Sequence, residues 1–155
     1  MRTFANVQEL KAAVGETFGP TAWREITQER VNTFADATDD HQWIHVDPER
    51  AKDGPFGGTI AHGFLTLSLL PSFLPELLSV GEIAMMVNFG LNKVRFPKPV
   101  PVGSRVRASG ELVDVKNSPA GHLATLKVSI EVEGERRPVC VVESLLLFVS
   151  QPTTT

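Results

Sequence analysis

The sequence predicts an α+β protein in which an antiparallel β-sheet wraps around a long central helix. Helix-type patterns are confined to the first half of the 155 residues, whereas strand patterns of period two fill the second half. Between them, the stretch from His62 to about Val80 is apolar on nearly every side. Because a helix without a polar face has to be covered by other elements, the strands that follow are expected to enclose it.

The composition predicts one domain at residues 1–150 and a disordered tail at residues 151–155. The length lies within the range of about 100–200 residues that is usual for a domain. Hydrophobic residues make up 42% and charged residues 21%, which is the balance of a globular protein. The net charge of −3 argues against a general nucleic-acid-binding protein. A single cysteine, Cys140, lies in an apolar run, so we expect it in the core and expect a reducing, cytoplasmic location.

We expect neither a secretion signal nor a membrane span. The N-terminus shows no basic stretch followed by an apolar core. The longest uncharged run, residues 54–75, has the length of a membrane span but contains repeated glycine, proline and hydroxyl residues. A buried helix that is entered through a loop explains this run better.

Short elements are predicted before residue 54. They are an amphipathic segment ending at Gly15, a short strand over residues 23–26, a helix over residues 28–37 and a brief helix that begins at Asp47–Pro48. Thr27 is a typical N-cap for the longer of these helices, and Asp47 for the shorter one, where Pro48 suits the first turn. Gly54–Pro55 ends the shorter helix.

The second half of the chain predicts about four long strands. Residues 106–112 and 125–132 alternate between apolar and polar side chains, and residues 139–149 form a near-continuous apolar run, typical of a strand covered on both faces. Turn residues at 117–121 and around Gly134 connect these strands as hairpins. The sheet is therefore expected to be antiparallel.

One loop between the two predicted helices is dense in titratable groups. Asp39, Asp40, His41 and His45 lie within seven residues of a chain that has four histidines in all. A carboxylate and an imidazole that converge on one water can divide proton transfer between them. Two alternatives stay open. In the first, Asp39 or Asp40 caps the preceding helix or a turn and His45 forms a hydrogen bond to the backbone. In the second, His41 and His45, which are four positions apart, bind a metal.

A glycine-rich stretch, residues 57–64, leads directly into the predicted central helix. Backbone N–H groups at a helix start are unpaired and carry partial positive charge, so they could hold the developing oxyanion of a substrate carbonyl. Alternatively, Gly63 only allows close packing of the helix. The stretch has no Gly-Lys-Ser/Thr ending, which excludes a phosphate-binding loop of that kind.

Other candidates for chemistry are weaker. The chain has no Gly-x-Ser-x-Gly motif and thus no obvious hydrolase serine. Several basic residues fall near one strand-turn-strand region, where they are either solvated surface or contacts for the phosphates of a large, cofactor-like substrate. These are Lys93, Arg95, Lys98, Arg105 and Arg107.

Two motifs together resemble the MaoC-like dehydratases, also called (R)-specific enoyl-CoA hydratases. The first runs from Asp40 through His45 to Asp47–Pro48, and the second is Ile60–Ala61–His62–Gly63–Phe64. Residues 96–103 also resemble the family's connection between strands. Within this group the similarity is greatest to NodN-like proteins and 3-hydroxyacyl-thioester dehydratases.

The resemblance implies a hot-dog fold, a homodimer whose sheets join edge to edge, and acyl tunnels near the subunit interface. Asp40 and His45 would be the catalytic pair and the Gly63 amide the oxyanion donor. His62 would have a structural role beside them, and Trp43 would narrow the acyl pocket. We expect neither a cofactor nor a metal.

The activity implied is the reversible hydration of trans-2-enoyl thioesters, carried by CoA or by acyl carrier protein. A hot-dog thioesterase and a non-catalytic acyl-CoA-binding protein are the alternatives. The chain departs from the family twice: Gln42–Trp43 stands where many members have Asn-Pro, and a serine on the central helix falls near Pro71 or Ser72.

Overall fold

A computed structural model describes residues 1–152, and Thr153–Thr155, in the predicted tail, lie outside the described residues. Gln151 and Pro152 are exposed and belong to no helix or strand. The elements in chain order are β1 (Arg2–Phe4), α1 (Val7–Ala12), β2 (Thr17–Phe18), β3 (Arg24–Glu25), α2 (Gln28–Thr38), α3 (Trp43–Val46), α4 (Pro48–Lys52), α5 (Gly63–Ser68), α6 (Leu70–Leu77), β4 (Leu78–Val80), β5 (Ile83–Arg95), β6 (Arg105–Ser118), β7 (Gly121–Val132) and β8 (Cys140–Ser150).

The main sheet has the strand order β2-β6-β7-β8-β5, and β3 also pairs with β6. Each of these pairings is antiparallel, with partners such as Gly110 opposite Val128 and Ser129 opposite Val141. The predicted hairpins are confirmed, because residues 119–120 join β6 to β7 in a tight turn and residues 133–139 join β7 to β8, and both strand pairs are antiparallel. A separate parallel pair, β1 with β4, connects the N-terminus to the chain after α6.

The helix starts before residue 54 are confirmed by their caps. Thr27 Oγ1 accepts a hydrogen bond of 3.1 Å from Arg30 N at the start of α2. Asp47 Oδ1 accepts one of the same length from Arg50 N at the start of α4, where Pro48 occupies the first turn. One more turn of helix, α3, precedes α4 and was not predicted.

The central helical segment is shorter and less continuous than its apolar pattern predicts. It consists of α5 and α6, which Leu69 separates, and the predicted continuation to about Val80 is wrong because residues 78–80 form β4. Pro71 has no N–H to bond to the preceding turn, which accounts for the break. Phe64 is 71% exposed, so the helix is not covered on every side.

The core lies between α5–α6 and the inner face of the sheet. Phe73, Leu74 and Leu77 of α6 are fully buried with the inward residues of β6, β7 and β8. Cys140 is one of these inward residues, and burial raises the pKa of its thiol to about 11. The prediction of a core position for Cys140 is therefore confirmed.

Strand β5 was not recognised individually from the sequence, because its apolar residues do not alternate with polar ones. It pairs with β8 along one side and forms an edge of the main sheet. Several of its large apolar side chains are exposed, among them Met85 and Phe89 at 56% and 61%. Within the described part of the chain, no helix has the length and apolar character needed to cross a membrane.

Candidate active site

His45, on α3, is held by the backbone on one side of its ring. Its Nδ1 lies 2.7 Å from the carbonyl oxygen of Ile60, and Ile60 N donates to Ile44 O at 3.0 Å. Because a carbonyl only accepts, Nδ1 must carry the hydrogen and Nε2 the lone pair. Gln28 fixes the backbone of the same residue, since its Nε2 donates to His45 O at 2.7 Å. The backbone contact offered as one alternative for His45 is thus present, and it leaves Nε2 available as a base.

Asp40 lies in the loop between α2 and α3. Helix α2 ends at Thr38, and the next residue, Asp39, adopts the left-handed conformation with φ 60° and so turns the chain out of the helix. The side chain of Asp40 is exposed, and its Oδ1 accepts a hydrogen bond of 3.3 Å from Gln42 N. Its carbonyl oxygen accepts from His62 Nε2 at 3.0 Å.

Asp40, His45 and His62 form one cluster. Each offers a carboxylate oxygen or ring nitrogen within 4.8 Å of those of the other two. Two groups that bond to one water at a tetrahedral angle, with hydrogen bonds of about 2.8 Å, lie about 4.6 Å apart. The spacing therefore suits a single water shared by the carboxylate of Asp40 and the imidazole of His45.

A metal ion fits this cluster less well than a water. The rings of His45 and His62 stack, with centroids 3.9 Å apart and planes inclined by only 24°. Imidazole lone pairs lie in the ring plane, so two nearly parallel, offset rings cannot both direct a lone pair at one ion. The alternative metal pair does not form either, because His41 bonds to Asp36 at 2.9 Å on the surface.

The environment of His45 favours the neutral imidazole. Burial lowers the pKa of His45 below its ordinary value of 6.5, and the nearby His62 acts in the same direction. The hydrogen bond to the Ile60 carbonyl and the charge of Asp40 oppose this shift without cancelling it. At neutral pH the Nε2 lone pair is thus available to accept a proton.

A cavity of about 330 Å³ connects His45 with the start of the central helix. Its wall includes His45, Gly63, Thr66, Phe56 and Phe96. Gly63 is the first residue of α5, where the N–H groups have no acceptor within the helix. A Cβ atom at this position would lie 3.2 Å from the ring of Phe96, so close packing also favours glycine here.

Trp43 is the first residue of α3. Its ring packs against the Arg50 guanidinium at 4.3 Å, and a Cβ at Gly54 would meet the same ring at 3.0 Å. Among residues 1–152, the side chains that line the cavity at His45 do not include Trp43. A role for Trp43 in narrowing the acyl pocket stays a prediction.

Some residues that hold the site in place could not be recognised from any sequence motif. Gln28 links α2 to α3, and Thr59 holds it there by donating from Oγ1 to Gln28 Oε1 at 2.6 Å. Phe34 packs against the ring of His62, with centroids 4.9 Å apart. These contacts join residues 17 to 31 positions apart, so no local spacing could have predicted them.

The basic residues near β6 are mostly paired with acids. Lys98 contacts Glu135, Arg105 contacts Glu133 and Arg107 contacts Glu131. These side chains fit a solvated surface, although Lys98 also lies on the cavity wall. Ser72, near which the family's helix serine falls, contacts Arg24 and donates to Leu69 O at 2.6 Å.

An antiparallel sheet around a central helix, with an Asp/His cluster beside the start of that helix, is the architecture of a MaoC-like dehydratase. The chain belongs to the MaoC like domain family, whose profile matches residues 9–135. It is 57% identical over 151 residues to 3-hydroxyacyl-thioester dehydratase Z of Mycobacterium tuberculosis, covering 97% of this chain and 100% of that protein.

Two further comparisons agree with this family. Nodulation protein N of Rhizobium leguminosarum bv. viciae is 41% identical over 150 residues, which cover 95% of this chain and 93% of the relative. The (R)-hydratase from A. caviae involved in PHA biosynthesis superposes with a TM-score of 0.68 at 25% identity, covering 87% of this chain and 96% of that one. The hot-dog fold implied by the sequence motifs is confirmed.

Proposed function

We propose that this protein is an (R)-specific enoyl-thioester hydratase and 3-hydroxyacyl-thioester dehydratase. The observation that carries the proposal is the cluster of Asp40 and His45, within 4.8 Å of each other, with His45 on the wall of the cavity that reaches Gly63. The relatives named above as a dehydratase and an (R)-hydratase support the same reaction. The substrate is a trans-2-enoyl thioester of CoA or of acyl carrier protein.

In this mechanism Asp40 and His45 hold one water between them. The Nε2 lone pair of His45 removes a proton as the water oxygen attacks carbon 3 of the enoyl thioester. The electron pair of the double bond moves to the thioester carbonyl and forms an enolate. The captured proton then passes to carbon 2 by way of the Asp40 carboxyl group, and the reverse sequence dehydrates a 3-hydroxyacyl thioester.

The enolate oxygen needs a donor, and the Gly63 N–H is the proposed one. It lies in the first turn of α5, where an N–H is free of intrahelical bonds, and on the wall shared with His45. A preorganised donor of this kind contributes roughly 10²–10³ in rate. The reaction adds water without any net change of oxidation state, so it requires no redox cofactor.

The proposed base predicts a specific pH dependence. The reaction needs neutral His45, so kcat/KM should fall by about tenfold per pH unit as the pH drops below the pKa of His45. Because burial lowers this pKa, the fall should begin below pH 6.5, later than for an exposed histidine. A kcat/KM profile over the acidic range measures it, and a limb that begins well above pH 6.5 would contradict the assignment of the base.

A direct assay separates the proposed reaction from its alternatives. The purified protein is mixed with enoyl-CoAs of graded chain length, and enoyl absorbance and free thiol are followed together. Hydration removes the enoyl absorbance without releasing thiol. Release of thiol would instead indicate a thioesterase, and binding without either change would indicate a non-catalytic acyl-binding protein.

The edge strand β5 supports a homodimer of this protein. An edge strand leaves a row of N–H and C=O groups unpaired, and proteins rarely leave such an edge both long and apolar. Strand β5 has 13 residues and exposes Met85, Val87 and Phe89 along it. A second copy that pairs with the same edge would cover these side chains and extend the sheet across both subunits.

Substitution of Phe89 by glutamate tests this dimer. Phe89 is the most exposed large apolar side chain on β5, and burying a charge there should weaken association. Light scattering with size exclusion is expected to give a dimer for the unaltered protein and a monomer for Phe89→Glu. Val113→Glu, at a 43% exposed site on β6, should remain dimeric. A monomeric unaltered protein, or an unchanged Phe89→Glu dimer, would exclude this interface.

Two further proposals concern the extent of the domain and the cellular location of the protein. We take residues 1–150 as a single catalytic domain, in agreement with one buried core that draws on residues from Phe4 to Phe148. A cytoplasmic location is proposed because the lone thiol of Cys140 is buried and has no disulfide partner in the chain.

A further inference from the structure

His62 touches both members of the proposed catalytic pair. Its Nε2 lies 3.0 Å from the carbonyl oxygen of Asp40, and its ring stacks on the ring of His45 at 3.9 Å. Its side chain is held in place by Phe34, and the residue is only 2% exposed.

The hydrogen-bond partners of His62 fix its tautomer. A carbonyl oxygen only accepts, so Nε2 carries the hydrogen and donates it to Asp40. The other nitrogen, Nδ1, is then a bare lone pair, which is buried and has no hydrogen-bond partner in residues 1–152. A buried polar atom without a partner is destabilising, and an apolar ring of the same shape would avoid that penalty. The polar contact that the histidine provides at this position is therefore its Nε2 hydrogen bond to the carbonyl oxygen of Asp40.

The loop that carries Asp40 needs an anchor. Asp40 follows the left-handed residue Asp39 and is exposed, and its carboxylate bond to Gln42 N lies within the same loop. The bond from His62 crosses 22 positions of sequence and ties this loop to the start of the central helix. It fixes the backbone of Asp40 relative to α5 and thus relative to the ring of His45.

We propose that His62 is a positioning residue, whose Nε2–H holds Asp40 at the distance from His45 at which one water bridges both side chains. This inference rests on the proposed hydratase function. His62 does not touch substrate or water and takes no proton. It acts through the backbone of Asp40, and its stacking on His45 fixes the position of Asp40 relative to the His45 ring.

Paired substitutions distinguish positioning from simple packing. His62→Phe keeps an aromatic ring against His45 but loses the donor to Asp40. His62→Gln places an amide N–H near the position of Nε2 and keeps the donor. A displacement of about 1 Å at a reacting group can cost about 10²-fold in rate. We therefore expect kcat to fall by about 10²-fold in His62→Phe with KM within about threefold, and to recover to within about tenfold of the unaltered protein in His62→Gln.

The stability of His62→Phe should change much less than its activity. The substitution removes the unpaired Nδ1 and the hydrogen bond to Asp40 together, and these effects oppose each other, so we expect its Tm to lie within about 5 °C of that of the unaltered protein. His122→Phe, on β7, also removes a buried Nδ1 that has no hydrogen-bond partner within residues 1–152, but His122 lies outside the cluster; this variant is the matched control and should retain kcat within about threefold. If His62→Phe does not fold, His62→Asn, whose shorter amide does not reach Asp40 O, takes its place against His62→Gln.

A readout independent of turnover completes the test. The order parameter of the Asp40 amide, from nitrogen relaxation, should fall in the donor-deficient variant and be preserved in His62→Gln. Unchanged kcat and an equally rigid Asp40 amide in the donor-deficient variant would overturn the inference, as would equal loss of kcat in both variants. If the unaltered protein hydrates no enoyl thioester, the proposed function fails, while the order parameter alone still decides whether His62 anchors Asp40.

Discussion

His45→Gln is expected to lower kcat for enoyl-CoA hydration by at least about a hundredfold while the protein stays folded. General acid–base catalysis contributes roughly 10²–10⁴-fold, and the glutamine amide nitrogen has no basic lone pair to replace imidazole Nε2. Steady-state hydration rates measure the loss, and the thermal unfolding midpoint reports whether the fold is retained.

His41→Gln is the matched control for this prediction. His41 lies four residues earlier in the same segment but is exposed and bonds to Asp36, away from the cluster. This variant should keep kcat within about twofold. Near-normal turnover in a folded His45→Gln protein would remove His45 from the mechanism, and an equal loss in His41→Gln would point to an effect on the loop as a whole.

Asp40→Asn is expected to lower kcat by a similar factor of at least about a hundredfold. Asparagine has nearly the same shape and can keep the backbone bond from His62, but its amide can neither accept the proton from the pair nor deliver it to carbon 2. The measurement is again the rate of hydration, at enoyl-CoA concentrations that separate kcat from KM. A change in KM alone would mean that Asp40 contributes only to binding.

Asp39→Asn provides the control for Asp40. Asp39 follows the last residue of α2 in the left-handed conformation, which asparagine adopts as readily as aspartate. The adjacent substitution therefore removes the same charge from the loop without removing the proposed proton carrier. If Asp39→Asn lost as much activity as Asp40→Asn, the charge of the loop would explain the effect, and the role of Asp40 would have to be abandoned.

Features that depend on neighbouring residues were predictable from the sequence. The caps Thr27 and Asp47 act on N–H groups three residues away, so their side chains alone locate the starts of α2 and α4. The alternation in residues 125–132 likewise determines which side chains of β7 face the core. Strand β5 escaped detection because apolar and polar residues do not alternate along it, and most of its side chains are exposed in this chain.

The central helical segment shows why hydropathy alone overstates burial. The apolar pattern from His62 onward predicts one helix enclosed on all sides, whereas the helix is interrupted at Leu69 and Phe64 is exposed. An apolar side chain that is exposed in a single copy is compatible with burial by a ligand or by a second copy. The apolar pattern alone therefore does not distinguish a helix buried on all sides from one that is partly exposed in a single chain.

The candidate site was predictable only in part, because the contacts that orient its side chains join residues far apart in the sequence. Asp40 and His45 are five positions apart, and their motif was recognisable, as was the glycine at the helix start. The contacts that orient them, from Ile60 O to His45 and from His62 to Asp40, cross 15 and 22 positions. The stacking of His62 on His45 likewise depends on the folded chain, and so does the anchor at Gln28.

Hydration in heavy-oxygen water tests the central claim most directly. The protein is incubated with a trans-2-enoyl-CoA, and the product is examined by mass spectrometry and chiral chromatography. We predict one heavy oxygen on carbon 3 of an intact (R)-3-hydroxyacyl-CoA, formed by the unaltered protein and lost in parallel in Asp40→Asn and His45→Gln. Heavy oxygen in a free carboxylate, an (S) product, or incorporation that persists in both variants would contradict a water activated by these two residues.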